Sequence, residues 1–84
     1  HAHRKCKQFL VAVSGSLSVI LDNAHTRIEI SLNEPNLGLY IAPMIWGVQY
    51  KFSQDAVLMV VCSEEYDDDD YIRVYKDFNA SVKV

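Results

Sequence analysis

The sequence is poor in the residues that define several classes of small protein. Its 84 residues include two cysteines, two prolines and three glycines. Cys6 and Cys62 have no CxxC spacing, so they predict neither a zinc ribbon nor the dense disulfide framework of small secreted domains. A single bridge between them is an open alternative, but free thiols in a reducing compartment are the expectation. We therefore expect a cytoplasmic protein.

Basic charge and long apolar segments are also missing. The formal net charge is −3 at pH 7, whereas a surface for nucleic acid or anionic lipid needs clustered Lys and Arg. The apolar stretch 9–21 contains three serines and one glycine, and it is too short to span a membrane. The composition thus predicts a partner that is neither nucleic acid nor membrane.

What the sequence does contain is enough apolar material for one small domain, covering residues 1–84. Half of the residues are hydrophobic, and a chain of this length has room for one core. The patterning is that of strands separated by short turns, which is typical of an all-β sandwich or barrel. Residues 9–13 and 17–21 flank Ser-Gly-Ser and predict a hairpin, and 28–32 alternates as a half-buried strand. The apolar run 56–62 predicts a strand buried on both faces.

The C-terminal part changes character at an acidic run, where six carboxylates occupy the seven positions 64–70. The run lacks the alternate ligands, glycine and closing glutamate of a calcium-binding EF-hand loop, so a solvated turn is expected. Apolar side chains beyond it follow the period of an amphipathic helix: Tyr71, Val74, Tyr75 and Phe78. Asp69 or Asp70 is predicted to cap the N-terminus of this helix.

The chain begins with His-Ala-His, which has three candidate origins: a purification tag, half of a metal site, or a pair of acid–base groups. The spacing His1-x-His3, then Gln8, then Gly15 fits the first cupin motif, with glutamine in the usual glutamate position. Two residues apart on a strand, the histidines point to the same side, with Cα atoms about 7 Å apart. The motif therefore favours native histidines that converge with Gln8 in the mouth of a barrel.

A metal site is the weaker interpretation of the motif. The stretch 43–48, where a metal-binding cupin supplies a further histidine, contains none. Gln8 also offers a neutral amide where a carboxylate would help to hold a cation. We therefore expect no bound metal. The third histidine, His25, falls in a predicted turn and is expected at the surface.

Three sequence blocks, in order, carry a resemblance to a known family: HAHRKCKQFLVAVSGSLSVILD, GLYIAPMIWGVQY and SEEYDDDDYIRVYKDF. Together they resemble the WxcM-like sugar 3,4-ketoisomerases, from His1 to about Phe78. The resemblance implies a cupin jelly-roll barrel with a short C-terminal helix, usually dimeric, that works without metal or organic cofactor. It also implies action on dTDP-4-keto-6-deoxyglucose, in the biosynthesis of deoxy and amino sugars for surface polysaccharides.

The paired histidines are the proposed acid–base groups of that family, and they correspond to His1 and His3 here. Imidazole titrates near pH 6.5, so it can accept and donate protons while a ketone moves between adjacent sugar carbons. Four further side chains are candidates for substrate binding: Gln8, Trp46, Tyr50 and Tyr40. For the three aromatic residues, packing in the core or at the rim is the alternative. Gln8 has hairpin stabilisation as its alternative.

Two departures from the family pattern are visible. Gly47 stands where members commonly carry a histidine after the tryptophan. Family chains are also longer and have strands before the histidine motif, so we expect an incomplete barrel whose unpaired edges favour a homodimer or higher oligomer. A non-catalytic cupin that binds a sugar nucleotide, or that serves in assembly, is the alternative function.

Overall fold

The computed structural model describes residues 1–82, which form eight strands and one α-helix. The elements are β1 (Ala2–His3), β2 (Gln8–Ser14), β3 (Leu17–Asp22), β4 (Arg27–Leu32), β5 (Gly38–Ile41), β6 (Trp46–Tyr50), β7 (Val57–Cys62), β8 (Tyr71–Ile72) and α1 (Tyr75–Val82). A short 3₁₀ turn, Asp68–Asp70, precedes β8. No helix in this part of the chain is long and apolar enough to cross a membrane.

Two three-stranded antiparallel sheets make up most of the fold. Sheet I has the order β5-β2-β7, and sheet II has the order β4-β3-β6. β1 pairs with β8 as a two-stranded ribbon. His1 and Gly47 exchange both main-chain hydrogen bonds, at 3.1 and 2.8 Å, and so attach this ribbon to the edge of sheet II. The ribbon therefore continues sheet II beyond β6.

The core lies between the inner faces of the two sheets. Its most buried side chains come from both sheets in the alternating pattern of half-buried strands: Leu10, Ala12, Leu17, Val19, Leu32 and Ile41. The architecture is all-β with one short C-terminal helix, as predicted. Within residues 1–82 the sheets do not close into a barrel.

The predicted hairpin around Gly15 is wrong. β2 belongs to sheet I and β3 to sheet II, so the turn passes the chain from one sheet to the other. The turn is held against a second turn: Ser16 N donates to Ser53 Oγ at 2.9 Å, and Ser53 N donates to the Ser16 carbonyl at 2.9 Å. Gly15 has φ +68°, and a Cβ there would lie 2.3 Å from Ser53 Oγ. Glycine is required at this position by both the conformation and the close approach.

The prediction that the strand 56–62 is buried on both faces is also wrong. Val57, Met59 and Val61 are 54, 45 and 53% exposed. Their side chains lie on the outer face of sheet I, together with Phe9 and Tyr40. In the described part of the chain β7 is an edge strand that pairs with β2 alone, and no element covers this face. The apolar run thus identified a strand correctly but not its environment.

The C-terminal helix begins later than its periodicity predicted. Tyr71 lies in β8, whereas α1 starts at Tyr75 and packs the fully buried Phe78 against the ribbon. The predicted helix cap is not formed by Asp69 or Asp70. Instead Asp67 caps the 3₁₀ turn by accepting from Asp69 N at 3.0 Å. Antiparallel pairing of Tyr71 with β1 takes this part of the chain out of the helix.

Candidate functional site

The ribbon β1–β8 places two imidazole rings on the inner side of sheet II. His1 pairs with Gly47, and Gly47 in turn pairs with Leu21, whose side chain packs against the core. Because paired residues of neighbouring strands share a face, His1 faces the interior, and so does His3 two residues further on. The ring centroids of His1 and His3 are 5.0 Å apart. The Tyr71 ring lies 5.3 Å from His1 and 4.3 Å from His3. The structure therefore brings the two predicted histidines together and adds a tyrosine that the sequence did not indicate.

His3 is almost completely buried, with 5% of its surface exposed. Its Nδ1 lies 2.9 Å from Asp70 Oδ2. Its Nε2 is buried and has no hydrogen-bond partner among residues 1–82. One ring nitrogen is thus engaged and the other is left open.

Asp70 is held by the loop that follows β1. Its carboxylate accepts from Lys5 N at 2.7 Å and from Cys6 N at 3.3 Å, in addition to His3. Burial alone would raise the pKa of this carboxyl group. The hydrogen bonds from His3 and the two backbone N–H groups outweigh that effect, so the pKa of Asp70 lies below its ordinary value. At neutral pH, Asp70 is therefore an ionised acceptor beside His3.

His3, Cys6 and Asp70 also form a group whose potential metal-ligating atoms lie within 4.8 Å of one another. The donor atoms already have other partners, however. The Asp70 oxygens accept from Lys5 N and Cys6 N and lie within hydrogen-bond distance of His3 Nδ1. Cys6 Sγ donates to the Lys7 carbonyl at 3.4 Å. Because a cation would have to displace these bonds, we describe the group as a hydrogen-bonded cluster and assign no metal to it.

A pocket of about 270 Å³ adjoins this cluster. Its walls include His3, Tyr71 and Cys62 together with carboxylates of the acidic run. Gln8 lies on the inner face of sheet I opposite Cys62, and its Nε2 is 4.0 Å from Cys62 Sγ. Of the four predicted substrate-binding residues, Gln8 is the one that shares the interior with the histidines. Cys6 and Cys62 are both free thiols, as predicted.

The three aromatic candidates lie on outer faces. Trp46 packs against α1, with its ring centroid 5.3 Å from that of Tyr75. Tyr50 lies on the same outer face of sheet II as Trp46 and donates its hydroxyl to Glu29. Tyr40 is 54% exposed on the outer face of sheet I. The structure therefore does not bring any of the three to the histidine pair.

Strand alternation explains why the aromatic side chains of β6 point away from the histidines. Gly47 is opposite Leu21 on the inner face, so its neighbours Trp46 and Val48 point outward. Tyr50, two positions beyond Val48, points outward as well. An aromatic residue type is thus not enough to predict a place in the pocket, because the parity of its position in the strand decides its face.

Gly47 itself lies on the histidine face of β6. A Cβ at this position would meet its nearest atoms, Ile41 Cδ1 and Gln49 Nε2, at 3.7 and 3.9 Å. Both distances are ordinary van der Waals contacts, so the backbone has space for a side chain here. The glycine therefore leaves room beside His1 that a larger residue would fill.

Asp70 and Tyr71 are the site residues that sequence reasoning missed. The acidic run predicts a solvated turn or a helix cap for Asp70, and the helical period places Tyr71 in the helix itself. The strand β8 has only two residues, and its partner β1 lies at the other end of the described chain. No local pattern reports a pairing between segments so far apart, so the sequence contained no signal for these two residues.

Two facing antiparallel sheets with a histidine pair on an inner face define a cupin-type β-sandwich. Over residues 1–83 the chain matches the family model described as FdtA: WxcM-like, C-terminal. The chain therefore belongs to the WxcM-like, C-terminal family, which confirms the resemblance found in the sequence.

Individual relatives of the chain support the same family. The chain is 47% identical over 78 residues to the TDP-4-oxo-6-deoxy-alpha-D-glucose-3,4-oxoisomerase of Aneurinibacillus thermoaerophilus, covering 93% of this chain and 56% of that protein. The structure of WlaRA, a TDP-fucose-3,4-ketoisomerase from Campylobacter jejuni, superposes with a TM-score of 0.94 at 35% identity, covering 98% of this chain and 61% of that one.

A third relative was solved with a sugar nucleotide. It is a histidine-to-asparagine mutant of the 3,4-ketoisomerase QdtA from Thermoanaerobacterium thermosaccharolyticum, in complex with TDP-4-keto-6-deoxyglucose. Its TM-score is 0.95 at 38% identity, covering 98% of this chain and 59% of that one. The chain thus spans a little under two thirds of the length of these relatives.

Proposed function

We propose that the chain is the histidine-bearing part of a dTDP-4-keto-6-deoxyglucose 3,4-ketoisomerase, with a role in deoxy- and amino-sugar biosynthesis. The observation that carries the proposal is the pair of imidazoles, 5.0 Å apart on one inner face, of which His3 has a buried Nε2 without a partner among residues 1–82. The relatives support the substrate class, because the names of all three refer to TDP-linked sugars.

The two imidazoles suit a proton transfer between adjacent carbons. In the proposed reaction His3 Nε2 takes the proton from C3 while protonated His1 gives a proton to the C4 oxygen, which forms an enediol. The proton then returns from His3 to C4, and His1 takes the proton of the C3 hydroxyl as the C3 carbonyl forms. Both histidines end as they began, so the isomerisation needs no oxidant or reductant.

Gln8 remains the candidate for a hydrogen bond to a sugar hydroxyl, because it lies on the inner face of sheet I. Trp46, Tyr50 and Tyr40 lie on outer faces, so their placement does not support a direct role in substrate binding.

The test is deuterium exchange at C3 of dTDP-4-keto-6-deoxyglucose in D₂O, followed by NMR. We expect exchange with the native chain and a loss of about 10²–10⁴-fold in His1→Asn and His3→Asn. His25→Asn is the matched control, since His25 lies in an exposed turn. Exchange at the same rate in all four proteins would contradict the proposal.

One observation favours the alternative, a non-catalytic cupin. The pocket beside His3 is walled by carboxylates that include Glu64, Glu65 and Asp67, which repel a nucleotide diphosphate. Absence of exchange in the native chain, together with measurable binding of dTDP by calorimetry, would favour this alternative.

We also propose a cytoplasmic homodimer or higher homo-oligomer. Support comes from the two free thiols and from the exposed apolar side chains on the outer face of sheet I, among them Phe9, Tyr40 and Val61. Light scattering coupled to gel filtration measures the mass in solution, and a monomer at micromolar concentration would contradict the assembly.

A further inference from the structure

We propose that Asp70 is a positioning residue, which holds the proton of neutral His3 on Nδ1 and thereby leaves the lone pair on Nε2. The inference rests on the proposed function of His3 as a base. It adds to the site a residue for which the sequence predicts the role of a helix cap.

The first argument is the chemistry of the contact. An ionised carboxylate can only accept hydrogen bonds. Asp70 Oδ2 lies 2.9 Å from His3 Nδ1, so the proton of the neutral ring is stabilised on that nitrogen. The remaining nitrogen, Nε2, then carries the lone pair that a base requires.

The second argument is the rigidity of the carboxylate. Three consecutive backbone N–H groups bind Asp70: Arg4 N donates to its carbonyl at 2.8 Å, and Lys5 N and Cys6 N donate to its carboxylate. The pairing of His3 with Tyr71, the residue after Asp70, fixes the other side of the contact. The imidazole and its acceptor are therefore held by the same short ribbon.

The third argument is that an amide cannot replace this carboxylate. The amide of Asp70→Asn has two orientations. With its NH₂ group in the Oδ2 position, the Cys6 N–H loses its acceptor. The NH₂ group then needs Nδ1 of His3 as an acceptor, which moves the ring proton to Nε2. An NH₂ group in the Oδ1 position instead faces the Lys5 N–H and leaves that donor unpaired. A role in tautomer selection thus predicts a specific change that a loss of packing would not produce.

The experiment is long-range ¹H–¹⁵N NMR of the ¹⁵N-histidine-labelled chain, followed with rising pH until the imidazole signals stop changing, so that neutral rings are compared. We expect the Nδ1–H tautomer of His3 in the native chain and an increased share of the Nε2–H tautomer in Asp70→Asn. Asp69→Asn is the matched control, because Asp69 is the exposed neighbour. In exchange assays, Asp70→Asn is expected to lower kcat about 10²-fold or more with little change in KM.

Asp70→Glu keeps the carboxylate and is expected to retain the Nδ1–H tautomer, which keeps the inference testable should Asp70→Asn fail to fold. An Nε2–H tautomer of His3 in the native chain, or in folded Asp70→Glu, would overturn it. If the native chain shows no exchange, the proposed function fails, whereas the tautomer measurement still decides the role of Asp70.

Discussion

Asp22 and Asp70 lie in different parts of the molecule, and each is a buried carboxylate that three residues bind. The Asp70 side chain is 10% exposed and that of Asp22 is 5% exposed. Asp22 accepts from Ala24 N at 2.7 Å, from the Arg27 guanidinium at 2.9 and 3.2 Å, and from the Tyr75 hydroxyl at 2.9 Å. By burial and by the number of partners, the two sites are closely alike.

The two carboxylates differ in the chemistry of their partners. Arg27 stays charged at every ordinary pH, and Tyr75 belongs to α1, so Asp22 attaches the helix to sheet II and does no proton chemistry. Asp70 instead binds an imidazole, the side chain that gains and loses a proton near neutral pH. Similar hydrogen-bond geometry therefore serves structure in one place and a candidate site in the other.

The largest expected effect on stability comes from removing the buried side chain of α1, the helix that Asp22 attaches to sheet II. Phe78 is fully buried where α1 packs on the ribbon. Phe78→Ala is expected to lower the free energy of unfolding by about 3–5 kcal/mol, because it removes apolar contacts and leaves a cavity. Urea unfolding followed by circular dichroism measures the loss. Phe78→Leu is the control and should lose less, and a loss below that of the control would contradict the assignment of Phe78 to the core.

Removing the Asp22 carboxylate is expected to have the next largest effect. Asp22→Ala leaves the Ala24 N–H and the Tyr75 hydroxyl without their acceptor, at a cost of about 2–3 kcal/mol. Exchange activity per folded molecule should not change. Arg27→Ala breaks the same ion pair from its exposed end and should cost clearly less, as urea unfolding can measure. Equal losses in the two variants would show that the ion pair, and not the buried acceptor, stabilises this region.

The sequence was sufficient for the strands and for the shared face of the histidines. Alternation and turn residues placed β2, β3, β4 and β7 within one residue, and the i, i+2 spacing put His1 and His3 on one side. It was not sufficient for the sheet that each strand joins. A short turn at Gly15 suits a hairpin and a crossing between sheets equally well, because contacts with Ser53 decide between them.

Only the site residues that lie close to one another in the sequence could be predicted. The aromatic candidates were chosen by residue type, but strand alternation turns Trp46 and Tyr50 outward. Asp70 reaches His3 through the pairing of β1 with β8, which joins distant parts of the chain. Such contacts depend on the assembled fold and leave no periodic signal in the sequence.

The smallest expected effect is a shared sensitivity to acid. Burial alone would raise the pKa of Asp22 and of Asp70, but their hydrogen bonds outweigh it and lower both pKa values. Each group therefore contributes stability that is fully present above the unfolded pKa of about 3.9 and is lost as the pH falls through the lower folded pKa. The free energy of unfolding, measured with urea between pH 7 and pH 3, should change little down to about pH 5 and decline below about pH 4. Asp22→Asn and Asp70→Asn should each make that decline shallower, whereas the control Asp69→Asn should not. An unchanged decline in the first two variants would show that neither carboxylate is linked to folding.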